Sequence, residues 1–199
     1  MNELLTTILA ELEAFGRAHD ARTAAPAERY LNLTPEAGAL LALLVRATRA
    51  RRVLEIGTSN GYSTLWLADA VAETGGRVTT IERLAAKRDA AVGNLTRAGL
   101  ASRVTFLLGE AAALLRDEPD ATYDFIFLDA ERRAYPGWWP DLARVWAPGG
   151  VLVVDNALSH AEEVAPFAEL LQTTPGVSTV LVPIGRGELL AYNGPAATA

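Results

Sequence analysis

The chain has 199 residues, of which 50% are hydrophobic, and this is enough for one sizeable core in a single domain. The formal net charge of -6 argues against a broad nucleic-acid surface, which is normally basic, and the absence of cysteine excludes disulfides and thiolate metal sites. The N-terminus lacks the pattern of a signal peptide, and no apolar run is long enough to span a membrane. We therefore expect a soluble cytoplasmic protein without a nucleic-acid or membrane partner.

Two helices are predicted before the first strand. Apolar residues recur at helical spacing from Leu4 to Phe15, which predicts an amphipathic helix over residues 2–18. Thr34 followed by Pro35 is typical of an N-cap and a first helical residue, and it opens the second helix. The first helix is too apolar on one face to stand alone, so we expect it to pack on its own domain or on a second subunit.

From residue 51 onward, apolar segments alternate with helical ones. The predicted strands are RRVLEIG (51–57), GRVTTIE (76–82), SRVTFLLG (102–109), YDFIFLD (123–129) and VLVVDN (151–156). The predicted helices are GYSTLWLADAVA (61–72), LAAKRDAAVGNLTRAG (84–99), EAAALLRD (110–117), PGWWPDLARVWA (136–147) and AEEVAPFAELLQ (161–172). Strands that are apolar throughout and alternate with helices predict a parallel sheet covered on both faces.

The end of the chain breaks this alternation. VSTVLVPIG and ELLAYN are joined by a tight RG turn with no room for a helix, so the last strand must run antiparallel to its neighbour. We predict a doubly wound, Rossmann-like α/β sheet that is parallel except for its last strand, with extra N-terminal helices. Ligands in such sheets bind past the carboxyl ends of the strands. The predicted single domain comprises a helical cap (1–50), a core (51–193) and a flexible tail (194–199).

The turn after the first predicted strand indicates the kind of ligand. Gly57 and Gly61 allow a sharp turn, but their spacing is not GxGxxG, and the acid Glu55 just before it would repel a pyrophosphate. An NAD-dependent dehydrogenase is therefore the least favoured function, whereas an amino acid or a sulfonium would suit the acid. Glu82 ends the second strand and can accept both ribose hydroxyls. Together the two acids favour S-adenosylmethionine; the alternative is an ordinary strand–helix turn followed by a solubilising acid.

The ordered segments resemble the class I S-adenosylmethionine-dependent methyltransferases and, more narrowly, the cation-dependent O-methyltransferases of the catechol and caffeoyl-CoA type. The matching pieces, in the family's order, are LEIGTSNGYS, TTIE, LLGEA, FIFLDAERRAY and PGGVLVVDNAL. The resemblance implies methyl transfer from S-adenosylmethionine to a hydroxyl of a small, catechol-like aromatic diol, assisted by Mg²⁺ or Ca²⁺. The family is commonly dimeric, so a homodimer is also expected.

The resemblance further implies roles for individual residues. The implied cofactor-binding positions are Glu55, Gly57, Thr58, Ser63, Glu82, Ala111, Asp129 and Glu131. Among them Glu82 would hold the ribose, Ala111 would border the adenine, and Glu131 would lie near the cofactor amine. The implied metal ligands are Asp129, Asp155 and Asn156.

The chemistry of these three residues agrees with a cation site. They offer only hard oxygen ligands, which suit Mg²⁺ or Ca²⁺ and fit zinc poorly. Two carboxylates brought together without a cation would repel each other. The alternative is that Asp155 and Asn156 cap a helix while Asp129 is an exposed loop acid.

One position departs from the family pattern. The family usually has D-A-D-K-x-x-Y after the first metal aspartate, and this chain has Arg132 where relatives use a lysine as general base. Arginine stays protonated, so it can stabilise a phenolate as a fixed cation but cannot accept its proton; a surface ion pair is the alternative role. The metal then does most of the activation, or another base serves. His160 is the candidate base, and a cap or a solvated residue is its alternative role.

Three rival functions stay open at this point. The first is a metal-independent methyltransferase of the same fold, acting on a different acceptor. The second is transfer of another group, as in aminopropyltransferases, which need a longer acidic substrate site than this chain offers. The third, suggested by Arg132, is a protein that binds S-adenosylmethionine without catalysis.

Overall fold

A computed structural model describes residues 2–194, so residues 195–199 of the predicted tail lie outside the described part. The helices are α1 (Glu3–Asp20), α2 (Pro35–Ala47), α3 (Tyr62–Thr74), α4 (Ala85–Arg97), α5 (Ala111–Asp117), α6 (Tyr135–Val145) and α7 (Ala161–Thr173). The strands are β1 (Arg52–Ile56), β2 (Arg77–Glu82), β3 (Val104–Leu108), β4 (Tyr123–Leu128), β5 (Trp146–Val154), β6 (Val177–Val182) and β7 (Glu188–Asn193).

The strands form a seven-stranded sheet in the order β3-β2-β1-β4-β5-β7-β6. The pairings among β1 to β5 are parallel, and β7 runs antiparallel to both β5 and β6. The predicted doubly wound sheet with an antiparallel last strand is therefore confirmed. The chain order reverses between β1 and β4, which is where ligands bind in sheets of this kind.

The predicted helix starts rest on side-chain caps. Asn2 accepts a hydrogen bond from the Leu5 amide at 2.9 Å and opens α1, which ends two residues later than predicted, at Asp20. Thr34 accepts from the Ala37 amide at 3.3 Å with proline at the first helical position, so the predicted start of α2 is confirmed.

The boundary between α6 and β5 differs from the prediction. The helix ends at Val145, and β5 starts at Trp146, five residues before the predicted strand. Trp146 pairs with Tyr123 of β4, and the register then shifts before Phe125 pairs with Val151. The PGG segment that follows the predicted helix is an irregularity inside a long strand.

The sheet separates two apolar clusters, one under α1, α2 and α3 and the other under α5, α6 and α7. Along β4, Phe125 and Phe127 enter the first cluster while Ile126 and Leu128 enter the second, as expected for a strand buried on both faces. The apolar face of α1 is buried within this first cluster, so α1 packs on its own domain. No helix among the described residues is long and apolar enough to cross a membrane.

Candidate active site

A cavity of about 620 Å³ lies past the carboxyl ends of β1, β2 and β4. Its lining includes six of the residues predicted for the site: Gly57, Glu82, Ala111, Asp129, Glu131 and Arg132. The segment before α2 closes another side, where the Ser59 hydroxyl donates to the Tyr30 carbonyl at 2.8 Å. The volume falls in the range typical of small-molecule sites.

Gly57, directly after β1, lines the cavity and lies close to the backbone that follows β4. Its φ is +109°, and a Cβ built on it would lie 2.0 Å from the carbonyl oxygen of Asp129. A side chain here would push the two strand ends apart, so glycine is required both by its conformation and by the available space.

Glu55 lies beneath the turn, fully buried and hydrogen-bonded to three hydroxyls. Ser63 and Thr64 each donate at 2.5 Å, and Thr80 donates at 2.6 Å. Burial raises the pKa of Glu55 to about 7, although the three hydrogen bonds act in the opposite direction. Thr64 and Thr80 were not predicted as part of this group.

Three predicted cofactor residues, Glu55, Thr58 and Ser63, are not part of the cavity lining. Thr58 is also buried, with its hydroxyl 2.6 Å from that of Thr80. They support the turn from below, and direct contact of these residues with the cofactor stays a prediction.

Glu82 is held at the cavity edge by backbone amides. One carboxylate oxygen accepts from Ser59 and the other from Leu84, each at 2.9 Å. The side chain is 8% exposed and lines the cavity. Each oxygen keeps a free lone pair, so the fixed carboxylate can still accept hydroxyl groups from a ligand.

The structure brings Asp129, Asp155 and Asn156 together at the ends of β4 and β5. The Asn156 side-chain amide donates to Asp129 at 3.2 Å and to Asp155 at 2.8 Å. Asn156 adopts a φ of +67°, a conformation that asparagine tolerates better than most residues, which turns its side chain back towards both acids.

These two acids are held in an unfavourable electrostatic setting. Burial, then the charge of Asp155, raises the pKa of Asp129 well above its usual value, and Arg132 and Arg186 partly oppose this rise. Burial likewise raises the pKa of Asp155. A positive ligand between the two would favour the ionised form of both.

Glu188, at the start of β7, is a neighbour that was not predicted from sequence. It is fully buried, and neither of its carboxyl oxygens has a hydrogen-bond donor among the described residues. Burial and the adjacent Asp155 raise the pKa of Glu188 to about 10. The only sequence signal is a glutamate between a glycine turn and an apolar strand, which does not distinguish it from an ordinary turn acid.

The two predicted catalytic residues differ in position. Arg132 lines the cavity while its Nε donates to Glu163 at 2.8 Å, so the ion pair considered as an alternative role is present. His160 is the N-cap residue of α7, and its Nδ1 lies 2.9 Å from the Ser159 hydroxyl. His160 is not part of the cavity lining, and its role as a base stays a prediction.

The donor set decides which metal the site could hold. Between residues 2 and 194, no group of three or more His, Cys, Asp or Glu side chains is arranged to hold a metal ion. The predicted set has two carboxylates and one amide, and an oxygen-only set of this kind suits Mg²⁺ or Ca²⁺. The Asn156 amide presents its nitrogen to the acids, so its side chain must rotate before its oxygen can serve as a ligand.

The reversal of strand order beside a cavity lined by acidic side chains is typical of Rossmann-like nucleoside-binding proteins. Residues 6–192 match a family model described as O-methyltransferase. The chain therefore belongs to this family of class I S-adenosylmethionine-dependent O-methyltransferases.

Individual relatives agree with this assignment. The catechol O-methyltransferase of Mycobacterium tuberculosis is 39% identical over 156 residues, which cover 77% of this chain and 69% of that protein. An O-methyltransferase from Bacillus cereus, solved in complex with S-adenosylhomocysteine, is similar at TM-score 0.79 and 29% identity, covering 94% of this chain and 90% of that one. The O-methyltransferase TomG from Streptomyces achromogenes, solved with S-adenosylmethionine, has TM-score 0.78 and 30% identity over 98% of this chain and 91% of that one.

Proposed function

We propose that this O-methyltransferase transfers its methyl group to one hydroxyl of a catechol-like diol, with a divalent cation held by Asp129, Asp155 and Asn156. The observation that carries the proposal is the meeting of these three oxygen-bearing side chains beside the cavity that contains Gly57 and Glu82. The name of the Mycobacterium tuberculosis relative supports the catechol part.

The proposed cofactor site lies on the β1 and β2 side of the cavity. Glu82 accepts the ribose hydroxyls, the glycine at position 57 admits the ligand close to the backbone, and Ala111 borders the adenine. Glu131 is exposed at the opposite rim, where it can meet the cofactor amine. The buried Glu55 keeps the turn in place and adds negative potential beneath a positively charged sulfonium.

The proposed acceptor site lies on the β4 and β5 side. When bound, the cation would orient both hydroxyls and favour the ionised phenol. Arg132 contributes a fixed positive charge that its ion pair with Glu163 holds in place. Because arginine does not release its proton, it stabilises the phenolate and leaves proton acceptance to another group. Orientation of the two reactants can supply roughly 7–11 kcal/mol of the barrier reduction.

A transfer assay with labelled S-adenosylmethionine tests the proposal. We expect catechol to be methylated and phenol, with its single hydroxyl, to react at least about 100-fold more slowly; EDTA should abolish the reaction and Mg²⁺ should restore it. Asp155→Asn should lose the Mg²⁺ response, while Asp117→Asn, which changes an exposed aspartate at the end of α5, should keep it. Full activity in EDTA would instead support the metal-independent methyltransferase.

A homodimer is part of the same proposal. Leu4 and Phe15 of α1 are 55% and 51% exposed although the rest of the apolar face of α1 is buried, so a second subunit has an apolar surface to cover. Light scattering at several concentrations, with Leu4→Glu as the disrupting variant, would measure the assembly. A monomer at all concentrations would remove this part of the proposal without affecting the rest.

A further inference from the structure

Glu188 is a buried acid to which the proposed function gives no role. It precedes Leu189, which pairs with Val154, so it stands opposite Asp155 on the neighbouring strand. It is 0% exposed, and within the described part of the chain neither of its carboxyl oxygens has a hydrogen-bond donor. A buried carboxyl group without a hydrogen-bond donor destabilises the strand, and an apolar residue would serve it better. This cost indicates a function at the site.

Asp155 depends on its neighbours for orientation. Its two oxygens accept from the Asn156 amide N–H at 2.6 Å and from the Asn156 side chain at 2.8 Å. The second of these bonds is lost if the Asn156 side chain rotates to present its oxygen to a cation. The backbone bond from Asn156 remains, so any further support for the second Asp155 oxygen has to come from another element of the fold.

β7 provides such an element. It is paired with β5 on one side and β6 on the other. The backbone before it is tied to the loop after Asn156, because the Ala157 amide donates to the Gly187 carbonyl at 2.8 Å. A Cβ on Gly187 would lie 2.6 Å from the Leu158 nitrogen, so the two segments are in close contact. Glu188 therefore faces Asp155 from a rigid position.

We propose that Glu188 is a positioning residue that holds the Asp155 carboxylate in its orientation and thereby sets the affinity of the cation site. The inference rests on the proposed function, since it takes the cation site as given. From this position across the β5–β7 pair the side chain of Glu188 can hydrogen-bond to Asp155, and the side-chain amide of glutamine can do the same, whereas an apolar side chain cannot. Partners of this kind behind a metal ligand typically account for 10–100-fold in metal affinity.

The test is a titration with Mn²⁺ alone, in which electron paramagnetic resonance measures the free ion and neither methyl donor nor acceptor is present. Glu188→Gln keeps the shape of the side chain and supplies an amide N–H to Asp155. The Mn²⁺ dissociation constant of this variant should therefore stay within about threefold of that of the unchanged protein. Glu188→Leu and Glu188→Met lack a donor and should bind Mn²⁺ about 10–100-fold more weakly. Calorimetry with S-adenosylhomocysteine should give an unchanged affinity for all three, which verifies the fold.

Several outcomes would overturn the inference. Unchanged Mn²⁺ affinity in a folded Leu or Met variant would show that Glu188 does not support the site. An equal loss in the Gln variant would show that its charge matters rather than its hydrogen bond, which would make it a ligand and not a positioning residue. If the unchanged protein binds no Mn²⁺, both the proposed cation site and this inference are refuted. If the unchanged protein binds Mn²⁺ and the Leu and Met variants bind it equally well, only this inference is refuted.

Discussion

Replacing Glu55 with glutamine should remove part of the pH dependence of stability. Burial raises the pKa of Glu55 from its ordinary value of 4.5 to about 7. A carboxyl group whose pKa is higher in the folded state than in the unfolded state binds its proton more tightly when folded. Its contribution to stability is therefore full below about pH 4.5, falls as the pH rises towards 7, and is lost above that.

The size of the effect follows from these two values. They differ by about 2.5, and each pKa unit corresponds to about 1.4 kcal/mol. The free energy of unfolding should thus fall by about 3 kcal/mol between pH 4.5 and 7 through this one residue. For a chain of this length, such a change lowers the midpoint of thermal unfolding by roughly 6–12 °C. Glutamine does not titrate, so the Glu55→Gln variant lacks this pH-dependent contribution to the free energy of unfolding.

Urea unfolding at several pH values across this window, without cation or cofactor, measures the prediction. The difference in free energy between the unchanged protein and Glu55→Gln isolates Glu55, because the other buried acids are present in both. Glu169→Gln, the same change at an exposed position in the middle of α7, should reproduce the slope of the unchanged protein. The reasoning is refuted if Glu55→Gln shows that slope as well.

Three further substitutions test the turn, the acceptor side and the loop after β4. Gly57→Ala should cost about 2 kcal/mol or more and abolish binding of S-adenosylhomocysteine in calorimetry, because its Cβ would meet the carbonyl of Asp129. Arg132→Met should lower kcat on catechol at least about 10-fold with the S-adenosylhomocysteine affinity unchanged, since it removes a fixed cation near the reacting oxygen. Tyr135→Phe should cost about 1–3 kcal/mol in urea unfolding, because the Ala130 amide donates to the tyrosine hydroxyl at 2.8 Å and would lose its acceptor.

Most of the sheet could be predicted because its signals are local. Apolar segments, helical periods and turn residues lie within single stretches of sequence, and the short RG connection requires the antiparallel hairpin. The convergence of Asp129 and Asp155 follows from the same pattern, since neighbouring parallel strands end at one edge of the sheet. The early start of β5 was missed because the pairing of Trp146 with Tyr123, which a local pattern does not reveal, extends the strand through two glycines.

The parts of the site that were missed depend on contacts between distant segments. Thr80 lies on β2 and donates to Glu55 on β1, so neither residue alone indicates the pair. Glu188 faces Asp155 only because β7 is inserted between β5 and β6. His160 is the N-cap residue of α7 and is not part of the cavity lining, so its predicted role as a base stays a prediction.

Four buried or partly buried acids lie on the side of the sheet where β1, β4 and β5 end: Glu55, Asp129, Asp155 and Glu188. Burial is the largest cause of the raised pKa of each, so all four lower stability in their ionised forms. Selection for stability alone would replace such groups with apolar residues. A sulfonium nucleoside, and the cation that we propose, bring positive charge to this edge and favour the ionised carboxylates. Since a ligand that binds only the folded state stabilises it, cofactor and cation should each raise the unfolding midpoint most at a pH above 7, where these acids are most costly.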